Sequence, residues 1–250
     1  EEGIFQPYTA SGANQLAQEL KADEMVTPID FGDVCLNYDK AAMAALGLAP
    51  PESLADLTDP AYAGLLVVED PGTSSPGLAF LLATIDEFGE DGWEQYWAGL
   101  KANDVLISPD WEAAYNGEFS GGAGQGDRPI VVSYASSPPA EVIFGDPRPA
   151  EAPTAMIEAG CFRQIEYAGI VAGTPIPIAA GELIDFMVTV EFQEDIPLNM
   201  FMFPASTEAA LPAEFVDFTT IPATPAMMTP AAIDEGRDRW IRAWTEVMTP

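Results

Sequence analysis

The chain of 250 residues contains no histidine. That removes Ser-His-Asp and Cys-His nucleophilic catalysis and the commonest ligand of catalytic zinc. Basic residues are scarce as well: nine Lys and Arg stand against 40 Asp and Glu, for a formal net charge of −31. A chain this acidic does not hold a phosphate backbone by nonspecific attraction, so no nucleic-acid partner is expected. The carboxylates read first as surface solvation and second as long-range attraction for a cationic ligand, and no acidic cluster stands out to favour the second. No run of 18 apolar residues is present, so no segment reads as a bilayer-spanning helix. No basic stretch followed by an apolar run stands at Glu1, so no signal peptide is visible. Cysteine is limited to Cys35 and Cys161, too far apart for a C-x-x-C motif. In a reducing compartment they are two small core residues. In an exported protein their strand-like settings, Val34-Cys35-Leu36 and Cys161-Phe162-Arg163, suit a single disulfide.

What is present is globular: 48% hydrophobic and 10% aromatic residues, enough for one large domain or two lobes. Strands are expected over Thr27–Tyr38, Leu65–Val68, Asp104–Ile107 and Ile130–Tyr134, and two successive strands over Met156–Glu158 and Phe162–Val171. Asp39 is placed to cap a helix over Lys40–Leu46, ended by Gly47. Helical spacing covers Leu78–Phe88 and Gly92–Ala102, the latter with Trp93, Tyr96, Trp97 and Leu100 on one core face. A helix over Pro177–Val190 is expected to turn Ile178, Leu183, Phe186 and Met187 inward. The final helix runs from about Ala231 to Met248, with Thr229 as N-cap and Pro230 at its first position. This alternation is α/β, with a mainly parallel sheet expected, and no internal repeat is found.

Two loops share one design: a buried strand, then Thr73-Ser74-Ser75-Pro76-Gly77 or Ser136-Ser137-Pro138, then a helix. The first backbone N–H groups of a helix lack intrahelical partners and its dipole favours an anion, so either loop suits a phosphate or carboxylate. The plainer reading is that Ser and Thr are good N-caps. The glycine-rich stretch 121–126 lacks the Lys-Ser/Thr of a phosphate loop and reads as a flexible connection. Trp111, Tyr115, Tyr134, Phe201 and Phe203 stand at element ends, where aromatics either pack in the core or stack on a flat or cationic ligand. Carboxylates such as Glu69-Asp70 and Asp110 or Glu112 could pair across a cleft, but acids are abundant and no G-x-S-x-G elbow exists, so no catalytic residue is assigned.

Several stretches, in order along the chain, carry a resemblance: F-G-D-V-C-L-N-Y-D-K (31–40), D-P-G-T-S-S-P-G-L (70–78), D-W-E-A-A-Y (110–115), V-S-Y-A-S-S-P (132–138), F-Q-E-D-I-P-L-N-M-F-M-F-P (192–204) and R-W-I-R-A-W (239–244). They resemble the thiamine-binding solute receptors of ABC importers, within the type II periplasmic binding proteins. The resemblance implies a two-lobed periplasmic-binding-protein-like fold with hinge strands that binds without chemistry, takes no cofactor and no metal, and closes on its ligand. Its implied ligand is thiamine or a thiamine phosphate. Thr73, Ser74, Ser75 and Gly77 would face the hydroxyethyl or phosphate end, with Ser136 in the second hydroxyl loop. Trp111 and Tyr134 would line the pocket, and Phe201 would stack on the pyrimidine. Phe201 stands where the family is expected to carry tryptophan, and Ala140 where some relatives carry tyrosine, which reduces stacking area.

By the same resemblance, residues 28–38 and 164–172 are the hinge strands, 39–163 the second lobe, 1–27 and 173–222 a remnant of a truncated first lobe, and 223–250 a helical tail. Export then follows, to the periplasm or the cell surface, lipid-anchored in some forms, with any signal peptide removed and with Cys35 bonded to Cys161. The implied partners are the ligand and the membrane subunits of an ABC permease, and the receptor is expected to be a monomer. The rival readings are a receptor for a polyamine or ferric ion, though no Tyr-Tyr pair is present for iron, and a hydrolase using paired carboxylates on the same fold.

Overall fold

The computed structural model describes residues 3–249. In chain order its elements are β1 (Phe5–Gln6), β2 (Thr27–Asp39), α1 (Lys40–Leu46), β3 (Leu66–Glu69), α2 (Ser75–Phe88), α3 (Trp93–Ala102), β4 (Leu106–Ser108) and β5 (Ile130–Tyr134). There follow α4 (Ser137–Phe144), β6 (Thr154–Ala168), β7 (Ile170–Val171), α5 (Pro177–Met187), α6 (Val190–Asn199), β8 (Phe203–Pro204), α7 (Ala213–Phe218) and α8 (Pro230–Met248). The chain divides into two compact units, one holding the chain up to Gly32 with Gln164–Asp217, the other Asp33–Arg163 with the segment from Phe218 onward. Strands β2 and β6 carry the chain from one unit to the other.

The second unit is built on a sheet ordered β4-β3-β5-β2-β6. β3 runs parallel to both β4 and β5, whereas β2 pairs antiparallel with β5, from Val34↔Tyr134 to Tyr38↔Ile130. The sheet is therefore mixed rather than mainly parallel. A helical crossover enforces parallel pairing only on the strands it joins, and β2 enters this sheet already extended from the other unit. Helix ends follow the local chemistry. Asp39 accepts from the Ala41 and Ala42 N–H groups, Gly47 closes α1 at φ 68°, and Thr229 accepts from Ala232 N–H at the start of α8.

The core of this unit centres on Trp97, which is fully buried. Its ring meets Phe80 and Trp244 edge-on, at 5.7 and 5.5 Å between centroids, and its indole N–H donates to Thr84 Oγ1 at 2.9 Å. Trp93, Tyr96 and Leu100 are buried beside it, as their helical spacing predicts, and α8 contributes Trp240 and Trp244 to the same cluster. Across the sheet, Cys35 is bonded to Cys161 with Cα atoms 4.2 Å apart. Two residues along on each strand, the Arg163 guanidinium donates twice to the buried Asp33 carboxylate, at 2.9 and 2.8 Å.

In the first unit β1 pairs antiparallel with β7, and β8 with the first part of β2 through Asp30↔Pro204 and Phe31↔Phe203. Buried Gln193 on α6 satisfies its whole amide, donating to the Ile29 and Met187 carbonyls and accepting from Ser206 N–H, each at 2.8 Å. Two expectations are corrected. The strands expected at 156–158 and 162–171 are joined into one strand, β6, through Gly160 at φ 72°, an in-strand left-handed residue packed against Leu54, and the last two residues, Ile170–Val171, form the separate strand β7. Helix α5 does not turn its large residues inward: Ile178 is 79% exposed, and Leu183 and Phe186 are also exposed. The buried stripe is Gly181, Ile184 and Val188, because the Tyr8 ring lies against Gly181 and admits no side chain there.

Candidate functional site

Strand β3 ends at Glu69, and the chain turns through Asp70–Ser74 into α2. Asp70 organises the turn: its Oδ1 accepts from Gly72 N–H and its carbonyl from the N–H groups of Thr73 and Ser74. Thr73 donates its hydroxyl to the Pro109 carbonyl at 2.6 Å, tying the turn to the chain beyond β4. Ser74 is the N-cap, and its Oγ accepts from Gly77 N–H at 3.4 Å. Gly77 is required by packing, since a Cβ there would fall 2.6 Å from the Glu69 carbonyl oxygen. The first helical residue, Ser75, is exposed, and no hydrogen bond occupies its N–H or hydroxyl among the described residues. Ser75 is thus the exposed loop residue with both donors open to a ligand, while Thr73 spends its N–H and hydroxyl on the turn and buried Ser74 spends its N–H there and accepts at its hydroxyl.

A second wall rises beyond β4. Trp111 is half-buried and stacks on Tyr115 at 5.0 Å and 15°, and Tyr115 in turn packs on Phe119. Asp110 Oδ1 accepts from Ala113 N–H, opening the wide helical turn Ala113–Glu118 that presents these rings. The indole N–H of Trp111 donates to Ser133 Oγ on β5 at 2.8 Å, and Ser133 shares a hydrogen bond of 2.7 Å with Ser137 on α4. Tyr115 donates to Glu141 Oε1 at 2.7 Å, and burial together with the Glu141 carboxylate holds its phenol well above the usual range. Trp111 is therefore clamped in plane and edge, with Tyr115 behind it.

Tyr134 and Ser136 follow on the same β5–α4 connection. Tyr134 is half-buried and its carbonyl accepts from Asn37 Nδ2–H, while Ser136 is buried and its carbonyl accepts from Ala140 N–H. The structure thus gathers Thr73, Ser74, Ser75, Gly77, Trp111, Tyr134 and Ser136 in the second unit. Phe201 belongs to the first unit, between α6 and β8, with φ 57°. A non-glycine residue in that region is strained by roughly 1–2 kcal/mol.

Sequence reasoning missed Ser133, Ser137 and Glu141 as supports of the wall; strand alternation in V-V-S-Y places Ser133 on the Trp111 side but gives no hint of its partner. Glu69, named from the sequence only as one carboxylate that could pair across a cleft, is fully buried, with neither carboxyl oxygen bonded to another residue. Burial lifts its pKa to about 8 against the pull of its own backbone N–H, and the charge of Asp110 adds to the rise.

Comparison with known proteins sets this geometry in a wider group. The profile of a family described as bacterial extracellular solute-binding protein matches residues 1–221. The thiamine-binding periplasmic protein of Escherichia coli (strain K12) is 30% identical over 227 residues, 91% of this chain and 65% of that protein. Its counterpart in Brucella melitensis is 29% identical over 244 residues, 97% and 69% of the two chains. This chain thus spans about 65% of the length of the Escherichia coli relative. Among solved structures, a periplasmic thiamin binding protein superposes with a TM-score of 0.82 at 27% identity, over 99% of this chain and 74% of the other. A Bordetella ferric binding protein shares the fold, with a TM-score of 0.68 at 18% identity, over 98% and 77%.

Proposed function

The chain belongs to the bacterial extracellular solute-binding proteins, and from that premise we propose that it is the thiamine-binding component of an ABC importer, a receptor without catalytic activity. The observation that carries this reading is the clamped Trp111–Tyr115 stack in the same unit as the open helix start at Ser75. Thiamine is flat, aromatic and permanently cationic at its thiazolium, so an aromatic face suits its rings and an acidic protein suits its charge. Its far end carries a hydroxyl or phosphate oxygen, for which the N–H and hydroxyl of Ser75 are donors of the right kind. In this reading Trp111 and Tyr134 line the ligand, and Ser75 and Ser136 supply polar contacts. Thr73, Ser74 and Gly77 hold the loop in shape. The relatives' names support a periplasmic location; a cell-surface form, delivery to membrane permease subunits, action as a monomer and the lack of a cofactor are parts of the same proposal.

Calorimetric titration of thiamine into the chain tests the reading. Saturable binding at one site, lost on Trp111→Ala, is expected; no heat above dilution, or binding that survives the loss of Trp111, refutes it.

A further inference from the structure

The Glu69 side chain has no role in the loop that follows it, yet it stands fully buried beside the site. By strand alternation its side chain shares the sheet face of Val67, and Val67 packs with Tyr115, Phe119 and Val131 where Trp111 also rests. The parallel register Val67↔Val131 puts Ser133, the anchor of Trp111, level with Glu69 on β5, and Ser108 is its partner on β4. The first turn of α2 presses on its main chain at Gly77. A carboxyl group thus stands fully buried and bonded to no other residue on the sheet face that Trp111 packs against, while the first turn of α2 meets the same residue's main chain. An unpaired acid there destabilises the fold, and a hydrocarbon or an amide would fill the space more favourably.

We propose that Glu69 is a specificity-determining residue of this site, favouring a ligand that brings positive charge to the Trp111 wall and disfavouring one that brings phosphate to the start of α2. The inference rests on the thiamine reading and selects, within it, unesterified thiamine over its phosphates. A bound thiazolium stabilises the ionised carboxylate, whereas a bound phosphate repels it and holds the proton on. Binding of thiamine therefore releases a proton from Glu69, and a phosphorylated form, which brings the same thiazolium but adds the repulsion of its phosphate, releases less. The charged and titratable groups around it are few. Asp70 lies on its own loop, Asp110 and Glu112 beyond β4, and Tyr115 on the turn, paired to Glu141 of α4. The Arg163–Asp33 pair lies on β6 and β2, farther across the sheet. Helix α2 brings none between Ser75 and Ile85. Asp110 is the one whose charge acts on Glu69.

The test is the ratio of thiamine to thiamine diphosphate affinity, measured by calorimetry from about pH 7 to about pH 9, a window above the last phosphate ionisation near 6. Each unit by which a bound charge moves the Glu69 pKa changes affinity about tenfold. The preference for thiamine is expected to rise at least about threefold across the window in the native chain, and to stay flat in Glu69→Gln. Asp110→Asn keeps the rise but moves its midpoint to lower pH, which guards against a Glu69→Gln variant that fails to fold. The part of the infrared carbonyl band of protonated carboxylic acids that is present at neutral pH and lost in Glu69→Gln assigns the proton without any ligand, the buried Asp30 accounting for what remains. Binding of both vitamers with a pH-independent ratio, or a rise that persists in Glu69→Gln, overturns the inference alone. Binding of neither vitamer overturns the thiamine reading and the inference with it.

Discussion

The disulfide between Cys35 and Cys161 closes a loop across a sequence separation of 126 residues. In the chain-entropy account, that closure removes about 16 cal/mol/K from the unfolded ensemble, or roughly 5 kcal/mol at 25 °C. Measured disulfides fall more often at 2–4 kcal/mol, so replacing the pair is expected to cost about 2–5 kcal/mol. Both sulfurs are buried, so reductant added to the native protein reaches them slowly and substitution is the cleaner perturbation. Tryptophan fluorescence is the assay of choice, because all five tryptophans lie in the second unit, which also holds both cysteines. The Cys35→Ala/Cys161→Ala variant is expected to unfold about 5–15 °C below the native chain, at roughly 2–4 °C per kcal/mol for a domain of this size. Either single substitution already breaks the bond, so each single is expected to cost about as much as the double. A fall of less than about 3 °C, or two small single effects that add, would refute the claim that this bond braces β2 against β6.

Three further outcomes are expected. Ser75→Ala weakens thiamine binding by about 1 kcal/mol while leaving Tm unchanged, whereas Ser74→Ala removes the helix cap and lowers stability by about 1 kcal/mol; the reverse pattern sinks the division of labour drawn for the loop. Ser133→Ala frees the Trp111 indole N–H, shifts the tryptophan emission and loosens thiamine severalfold; unchanged emission and affinity count against the clamp. Because the folded pKa of Glu69 is raised from 4.5 to about 8, its contribution favours folding most at low pH and is lost as pH rises towards 8, by up to about 5 kcal/mol. Chemical denaturation of Glu69→Gln should show a growing stability advantage over the native chain between those limits, and parallel stability curves would contradict it.

Much of the fold is legible in local sequence because its determinants are local. Asp39, Ser74 and Thr229 cap the helices they precede, and the Trp93–Leu100 face is buried, as its spacing demands. Distance is what hides the rest. The direction of β2 depends on where it comes from, which no residue in Thr27–Asp39 encodes. The buried stripe of α5 follows Gly181 because Tyr8, far away in sequence, needs the space, so hydrophobicity alone picked the wrong face. In the site, the hydroxyl loop and Trp111 were visible as residue types at element ends. Their supports were not: Ser133 and Glu141 act through contacts with Trp111 and Tyr115 that only the assembled sheet creates. Glu69 reads in the sequence as half of one candidate carboxylate pair, and only its burial sets it apart from Asp70.

Helix α8 seals a core begun much earlier in the chain, with Trp244 set edge-on to Trp97. A ribosome delivers β2 and α3 first, then the excursion through the other unit, and α8 only after both. Until α8 emerges, the indole of Trp97 faces an unfinished wall, and the larger unit stays open however well its sheet has formed. The order of synthesis thus acts as a timer on folding.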